Sequence, residues 1–281
     1  MFRMSHWHPG LRKGIRHRGA MTGLILISFF LVLAVIAPWV APHSPTDQDL
    51  PRRLEPPSKD FWFGTDDFGR DIFSRVLYGT RISLRVGLVA VLLALFVGGT
   101  LGLVAGYYGG RVDLVLMRGV DVMLAFPAIL LAIAVVAVLG PSLTNAMVAV
   151  GITGIPVYAR LVRGVVLQVK NQEYVTAARA LGAGDFRILT RAVLPNCVAP
   201  ILVQTSLGLA TAILDAAGLS FLGLGAQPPM PEWGAMLSQG RELILDAPWA
   251  LTAPGVAILL AVLGFNLLGD GLRDMLDPRV T

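Results

Sequence analysis

Residues 21–41, 86–110 and 247–269 of this chain each contain no Asp, Glu, Lys or Arg. A bilayer hydrocarbon core is crossed by roughly 20 apolar helical residues, so each stretch is long enough for one crossing. A fourth uncharged stretch, 122–159, is too long for one span and is interrupted by Gly140, Pro141 and Ser142, a turn signal. It reads as two helices joined by a tight hairpin. A further span follows Arg191, runs through 199–217 and holds one charge, Asp215. The expected fold class is all-α integral membrane, with six transmembrane helices satisfying their own backbone groups in lipid. Composition agrees, because 15% charged residues against 55% hydrophobic leave too little charge to cover a soluble domain.

The basic segment before the first span raises the alternative of a cleaved signal peptide. The apolar region is longer than a signal needs, and Trp39, Val40, Ala41 and Pro42 form no small-x-small cleavage site. The first span is expected to be retained.

Charge placement sets the orientation. Arg3, Arg12, Lys13, Arg16 and Arg18 precede the first span, with no acid before Asp47. Arg160, Arg163, Lys170, Arg179, Arg187 and Arg191 lie between the fourth and fifth spans, against Glu173 and Asp185. Basic connections stay cytoplasmic, which puts both termini and the fourth connection inside. The loop 42–83 weighs mildly against this, because it carries Arg52, Arg53, Lys59, Arg70, Arg75 and Arg81 yet must lie outside. The resulting segments are a basic tail (1–20), a first span (21–41), an external loop (42–83), a five-helix domain (84–271) containing a cytoplasmic loop (164–196), and a carboxyl tail (272–281). The net charge of +5 is accounted for by this distribution, and no nucleic-acid partner is expected.

Several chemistries are missing. The lysines, Lys13, Lys59 and Lys170, are followed by Gly14, Asp60 and Asn171, so no phosphate-cradling Gly-Lys-Ser/Thr loop exists. Energy from ATP would have to arrive from another chain. No catalytic constellation is present. His6, His8 and His17 sit in the basic tail and read as an interfacial segment rather than a metal site, and Cys197 reads as a small buried apolar residue.

The informative segment is Glu173, Tyr174, Val175, Thr176, Ala177, Ala178, Arg179, Ala180, Leu181 and Gly182, continuing to Leu194, Pro195 and Asn196. Tyr174, Ala178 and Leu181 fall at i, i+4 and i+7 on one helical face. Gly182 suits a left-handed cap, and Asp185 is placed to cap a second helix from Phe186. Periodicity alone leaves two readings open, a linker between spans or a docking helix for a partner.

Thr176-Ala177-Ala178, Gly182 four residues later, and Leu194-Pro195 resemble the EAA loop of binding-protein-dependent ABC-transporter permeases, with Thr176 replacing the family's first acid and Ala192 its isoleucine. The resemblance extends to Phe63-Gly64-Thr65-Asp66-Asp67-Phe68-Gly69-Arg70-Asp71, to Ser220-Phe221-Leu222-Gly223-Leu224-Gly225 with Pro231-Glu232-Trp233-Gly234, and to the carboxyl end at Leu276-Asp277-Pro278. These resemble the dipeptide/oligopeptide/nickel subfamily, and Thr211-Ala212-Ile213-Leu214-Asp215-Ala216-Ala217 is similar to the dipeptide C-type subunit. The resemblance implies a type I ABC importer transmembrane domain without its own ATPase site. It implies as partners a second homologous permease, two ATPase subunits that bind ATP and Mg, and an external substrate-binding protein. It also implies ATPase coupling through Glu173, Tyr174, Thr176, Ala177, Ala178, Arg179, Gly182 and Asp185. Nickel or glutathione import by the same machine, and a stand-alone channel or ion-coupled carrier, are the alternatives.

Asp215 is either a structural acid or a translocation gate meeting a peptide ammonium group. Gly98, Gly102 and Gly106 are expected to permit close helix approach. Pro127, Pro156, Pro200 and Pro254 are expected to kink or end helices, and Arg118 with Asp121 to form an i, i+3 pair. Trp233, Met236, Leu237, Gly240, Leu243 and Ile244 predict a short helix on the outer membrane surface.

Overall fold

A computed structural model describes residues 18–276. The basic tail with His6, His8 and His17, and the terminal Asp277 and Pro278, lie outside the described residues. Those described are helical with no β-strand, only an isolated bridge between Thr65 and Asp71. Among the described residues, five helices are long and apolar enough to cross a bilayer: α1 (Arg18–Val40), α2 (Ile72–Tyr108), α5 (Leu143–Val169), α8 (Leu194–Phe221) and α10 (Pro248–Leu276).

The remaining span is a bent pair. Helix α3 (Gly110–Leu124) and helix α4 (Ala128–Leu139) meet at 93°. Pro127 causes the break, because it has no N–H to continue the ladder and holds Phe126 out of helical geometry. Twelve residues of α4 rise about 18 Å, short of a full crossing. The uncharged stretch from 122 therefore contains the end of one helix and half a span. The hairpin at 140–142 forms as expected, with Gly140 at φ +90° and the Ser142 hydroxyl accepting from Asn145 N–H at 3.1 Å.

Helix α2 is the central strut. It begins well before residue 84, because Asp71 caps it by accepting from the N–H groups of Phe73 and Ser74. Its charged first turns hide the helical start from a hydropathy reading. Helix α5 lies along it at very short range. A Cβ on Gly98 would strike the Ile155 carbonyl, one on Gly102 the Ala159 carbonyl, and one on Gly106 the Val166 side chain at 2.8 Å. The four-residue spacing thus does what small-residue stripes do in membranes, letting backbones touch where lipid offers no hydrophobic drive. Gly102→Leu is expected to force these helices apart and cost about 3 kcal/mol or more, the upper range of overpacking, because the obstacle is backbone. Thermal unfolding of the purified protein checks this. Helix α1 packs on α10 in the same manner, with Gly23 against Gly264 and Leu268.

At one end of the bundle, residues 42–71 fold into a cap. Thr65 is fully buried, its hydroxyl donating to the Arg52 carbonyl and its own carbonyl accepting from Trp249 Nε1 at 3.1 Å. Asp66, Arg70 and Asp71 of this segment are buried, while Asp47, Asp49, Arg52, Arg53, Lys59 and Asp60 are exposed. Asp66 Oδ2 lies 2.7 Å from Arg70 Nε and 3.5 Å from Arg75 Nε, and Gln239 Oε1 accepts from both guanidiniums. Arg75 also donates to the Pro45 and Pro229 carbonyls. Burial, with Asp66 beside it, pushes the Asp67 carboxyl above its ordinary range.

The helix expected after the loop prolines exists as α9 (Trp233–Gly240), but it does not lie on the surface. Trp233 is fully buried, stacks edge-on to Phe30 and donates to the Val76 carbonyl at 3.1 Å; Met236 and Gly240 are buried as well. Glu232 caps it from a buried site, accepting from Gly234 and Ala235 N–H, and burial pushes its carboxyl up. Trp233, Met236 and Gly240 of the expected apolar face are covered by helices, while Ile244 beyond the helix end stays exposed. Arg118 and Asp121 do not form the expected pair either. Asp121 accepts from Arg160 at 2.7 Å, and Arg163 grips Asp113 through two bonds of 2.6 and 2.7 Å, fastening α3 to α5.

Candidate functional site

At the opposite end of the bundle, the connection between α5 and α8 folds into α6 (Glu173–Ala180) and a single turn, α7 (Asp185–Ile188). Helix α6 ends as its sequence demands. Gly182 takes φ +83°, and the N–H groups of Gly182 and Ala183 return to the carbonyls of Arg179 and Ala178, both at 3.0 Å. This is a Schellman closure, which needs a residue tolerant of positive φ. Asp185 does not cap α7; that place falls to Gly184, and Asp185 stands in the first turn. Its carboxylate instead accepts the Tyr107 hydroxyl at 2.6 Å, linking the connection to the end of α2.

The periodic face read from Tyr174, Ala178 and Leu181 is not the one that meets the bundle. Val175 is the fully buried residue, packed with Ile188, Val193 and Cys197 against Val162, Val166 and Val169 of α5. Ala178 is half-buried, while Glu173, Thr176, Ala177 and Arg179 are exposed. Tyr174 is half-exposed, and Leu181 and Phe186 are 89% and 81% exposed. Two apolar faces share this short helix, and spacing could not say which one turns inward. Further bonds hold the segment: Lys170 Nζ donates to the Gly106 carbonyl at 2.7 Å, and Asn196 Nδ2 donates to the Tyr174 hydroxyl at 3.3 Å. A π-helical turn, Leu189–Val193, joins it to α8 just before Pro195, whose missing N–H leaves a carbonyl one turn back without its helical partner.

The arrangement is a small exposed platform pinned to the bundle by an apolar cluster and several hydrogen bonds. Tyr107→Phe removes a bond to a carboxylate, a class worth about 1.5–3 kcal/mol. Hydrogen exchange across 173–188 is expected to quicken in that variant while the spans stay protected. Tyr107 and Lys170 lie outside the motif, and only their side chains' reach reveals them.

Asp215 is not part of this platform. It lies 21 residues along α8 from Leu194, about 31 Å by helical rise. It borders a cleft of about 230 Å³ between α2, α5 and α8, and a second of about 440 Å³ towards α10.

Comparison with known proteins follows the same lines. The model of the binding-protein-dependent transport system inner membrane component family matches residues 98–281, and that of the N-terminal transmembrane domain of oligopeptide transport permease C matches residues 5–57. The chain belongs to the binding-protein-dependent transport system inner membrane component family. It is similar to the dipeptide transport system permease protein of Alkalihalophilus pseudofirmus, at 52% identity over 99% of this chain and 91% of that one. It is similar also to the glutathione transport system permease protein of Escherichia coli, at 50% identity over 98% and 91% of the two chains. Among solved structures, the inward-facing MetNI methionine ABC transporter shares the fold. The TM-score is 0.60 at 19% identity, over 72% of this chain and 97% of that one. The fold is thus that of an ABC importer transmembrane domain.

Proposed function

We propose that this chain is one permease half of an ATP-driven importer of dipeptides or short peptides. A second homologous permease completes the pathway, two ATPase subunits bind and hydrolyse ATP with Mg, and an external binding protein delivers substrate. The observation that carries the reading is the platform formed by α6 and α7. It presents Tyr174, Leu181 and Phe186 outward, yet Val175 and the Tyr107–Asp185 bond hold it against the spans. An exposed apolar surface backed by a rigid bundle suits docking of a partner, and movement of that partner would be passed into α2 and α8. The near full-length similarity to a dipeptide permease supports the substrate class.

Both termini and the platform face the cytoplasm of a bacterial inner membrane in this reading, and the cap at 42–71 faces outward. The basic residues that weigh against an external cap are partly withdrawn from the membrane surface. Arg70 and Arg75 are 1% exposed and paired with Asp66. ATP-driven approach of the ATPases, gripping Glu173, Thr176, Ala177, Arg179 and the rest of the 173–182 segment, would bias the permease pair between inward-open and outward-open states. The shift extends only as far as the ATPases bind one state better.

Glutathione is the competing cargo, on the strength of the similarity to the Escherichia coli glutathione permease. Reconstitution in lipid vesicles with the partner permease, ATPases and binding protein tests the reading. ATP-dependent uptake of labelled dipeptide, outcompeting glutathione, is expected. Uptake by this chain alone, without ATPases, would overturn it in favour of a channel or carrier.

A further inference from the structure

A carboxylate inside a membrane bundle is costly unless something answers its charge. Asp215 has no hydrogen bond or ion pair among the described residues, and none of the residues lining its cleft is Lys, Arg or His. The rest of that lining is not plain core. Thr153 and Tyr158 from α5, and Gln204 and Thr211 from α8, bring hydroxyl and amide groups to the same cleft. The cleft owes part of its form to Gly208, where a Cβ would stand 2.8 Å from the Tyr158 hydroxyl. The same carboxylate borders the second cleft on the far side of α8, so it stands between two open spaces rather than at the end of one.

We infer that the Asp215 cleft is a transit site for the ammonium groups of peptide substrates, with Asp215 as the counter-charge and the neighbouring hydroxyls and amide as replacements for lost water. The inference deepens the importer reading and rests on it. An ammonium carries three donors and no acceptor, and the cleft offers it the oxygens of a carboxyl group with neutral oxygens nearby. An inorganic anion has no cation here to meet. The position, six residues before the end of α8 at Phe221, is about 9 Å of helical rise from the end that carries the 42–71 cap. A peptide arriving from that end would meet Asp215 early in its passage.

The test compares two cargoes within one preparation, so that the amount of folded complex cancels. The reconstituted full complex receives saturating binding protein loaded with either lysyl-alanine or glutamyl-alanine, and the ratio of their maximal uptake rates is read. Asp215→Asn is expected to lower the lysyl-to-glutamyl ratio about tenfold, which is about 1.4 kcal/mol of charge discrimination. Asp215→Glu should keep the ratio within about threefold of the original, and Asp215→Lys should lower it further than Asn. An unchanged ratio in the Asn and Lys variants overturns the inference, even if overall rates drop, because a purely structural acid would slow both cargoes alike. A wild-type complex that moves neither peptide contradicts the importer reading itself, a failure distinct from an unshifted ratio.

Discussion

Asp66→Ala is expected to destabilise the protein by about 3–5 kcal/mol, the cost of leaving buried charge without its partner. Asp66 is 7% exposed, and one of its oxygens is shared by Arg70 and Arg75, themselves almost wholly buried. Its other oxygen accepts from the backbone N–H groups of Phe68 and Arg70 at 2.9 and 3.0 Å, which closes the turn leading to α2. The alanine variant loses both functions, and the two buried guanidiniums keep, among the described residues, only Asp67, 3.7 Å from Arg70 Nη2, as a neighbouring carboxylate. Asp66→Asn separates them: it can keep the turn and loses the charge. The loss in apparent melting temperature should be clearly smaller for Asn than for Ala. Equal losses would put the ion cluster, not the turn, in control. Because Gln239 of α9 accepts from both arginines, loosening of α9 is expected to accompany the loss of the cap.

Gly182→Val is expected to abolish coupling rather than folding. A side chain at Gly182 meets nothing within 4 Å, so the effect is conformational and not steric with neighbours. An L-residue in the left-handed region costs about 1–2 kcal/mol, and a β-branched one is worse off. Helix α6 has only eight residues and little stability of its own, so a penalty of that size unwinds its last turn and displaces Leu181. Uptake should fall at least about tenfold at unchanged protein level in the membrane. Gly182→Asn, which tolerates positive φ, should retain most of it. Normal uptake by the valine variant would remove 173–182 from the coupling path.

Much of this structure is written in local pattern, and the exceptions share a cause. The long uncharged stretches, the Gly140 hairpin, the Gly98, Gly102 and Gly106 stripe and the Gly182 cap each depend on a few neighbouring residues, and each formed. Cys197 is buried as its apolar character suggests. What escaped depends on residues far apart in the chain. The start of α2 at Ile72 is masked by Arg75, Arg81 and Arg85, charges that hydropathy counts as exposed although Arg75 is buried against Asp66. Helix α9 could be found but not placed, because an apolar face fits lipid and protein equally well. The inward face of α6 could not be read for a similar reason: Val175 turns inward because α5 and α8 supply a matching apolar cluster, which spacing within α6 cannot foresee. The Tyr107–Asp185 and Arg160–Asp121 bonds join residues 78 and 39 positions apart, beyond the reach of any helical periodicity.

Thiol labelling of Leu181→Cys in a Cys197→Ser background examines the platform itself. Leu181 is 89% exposed in the isolated chain, whereas Cys197 is buried and can be replaced by a residue of similar size. A membrane-impermeant reagent should modify the new cysteine in inside-out vesicles and leave it untouched in right-side-out ones. Adding the ATPase subunits should then protect it. Modification from the outside would place the platform beyond the reach of any cytoplasmic ATPase and contradict the importer reading.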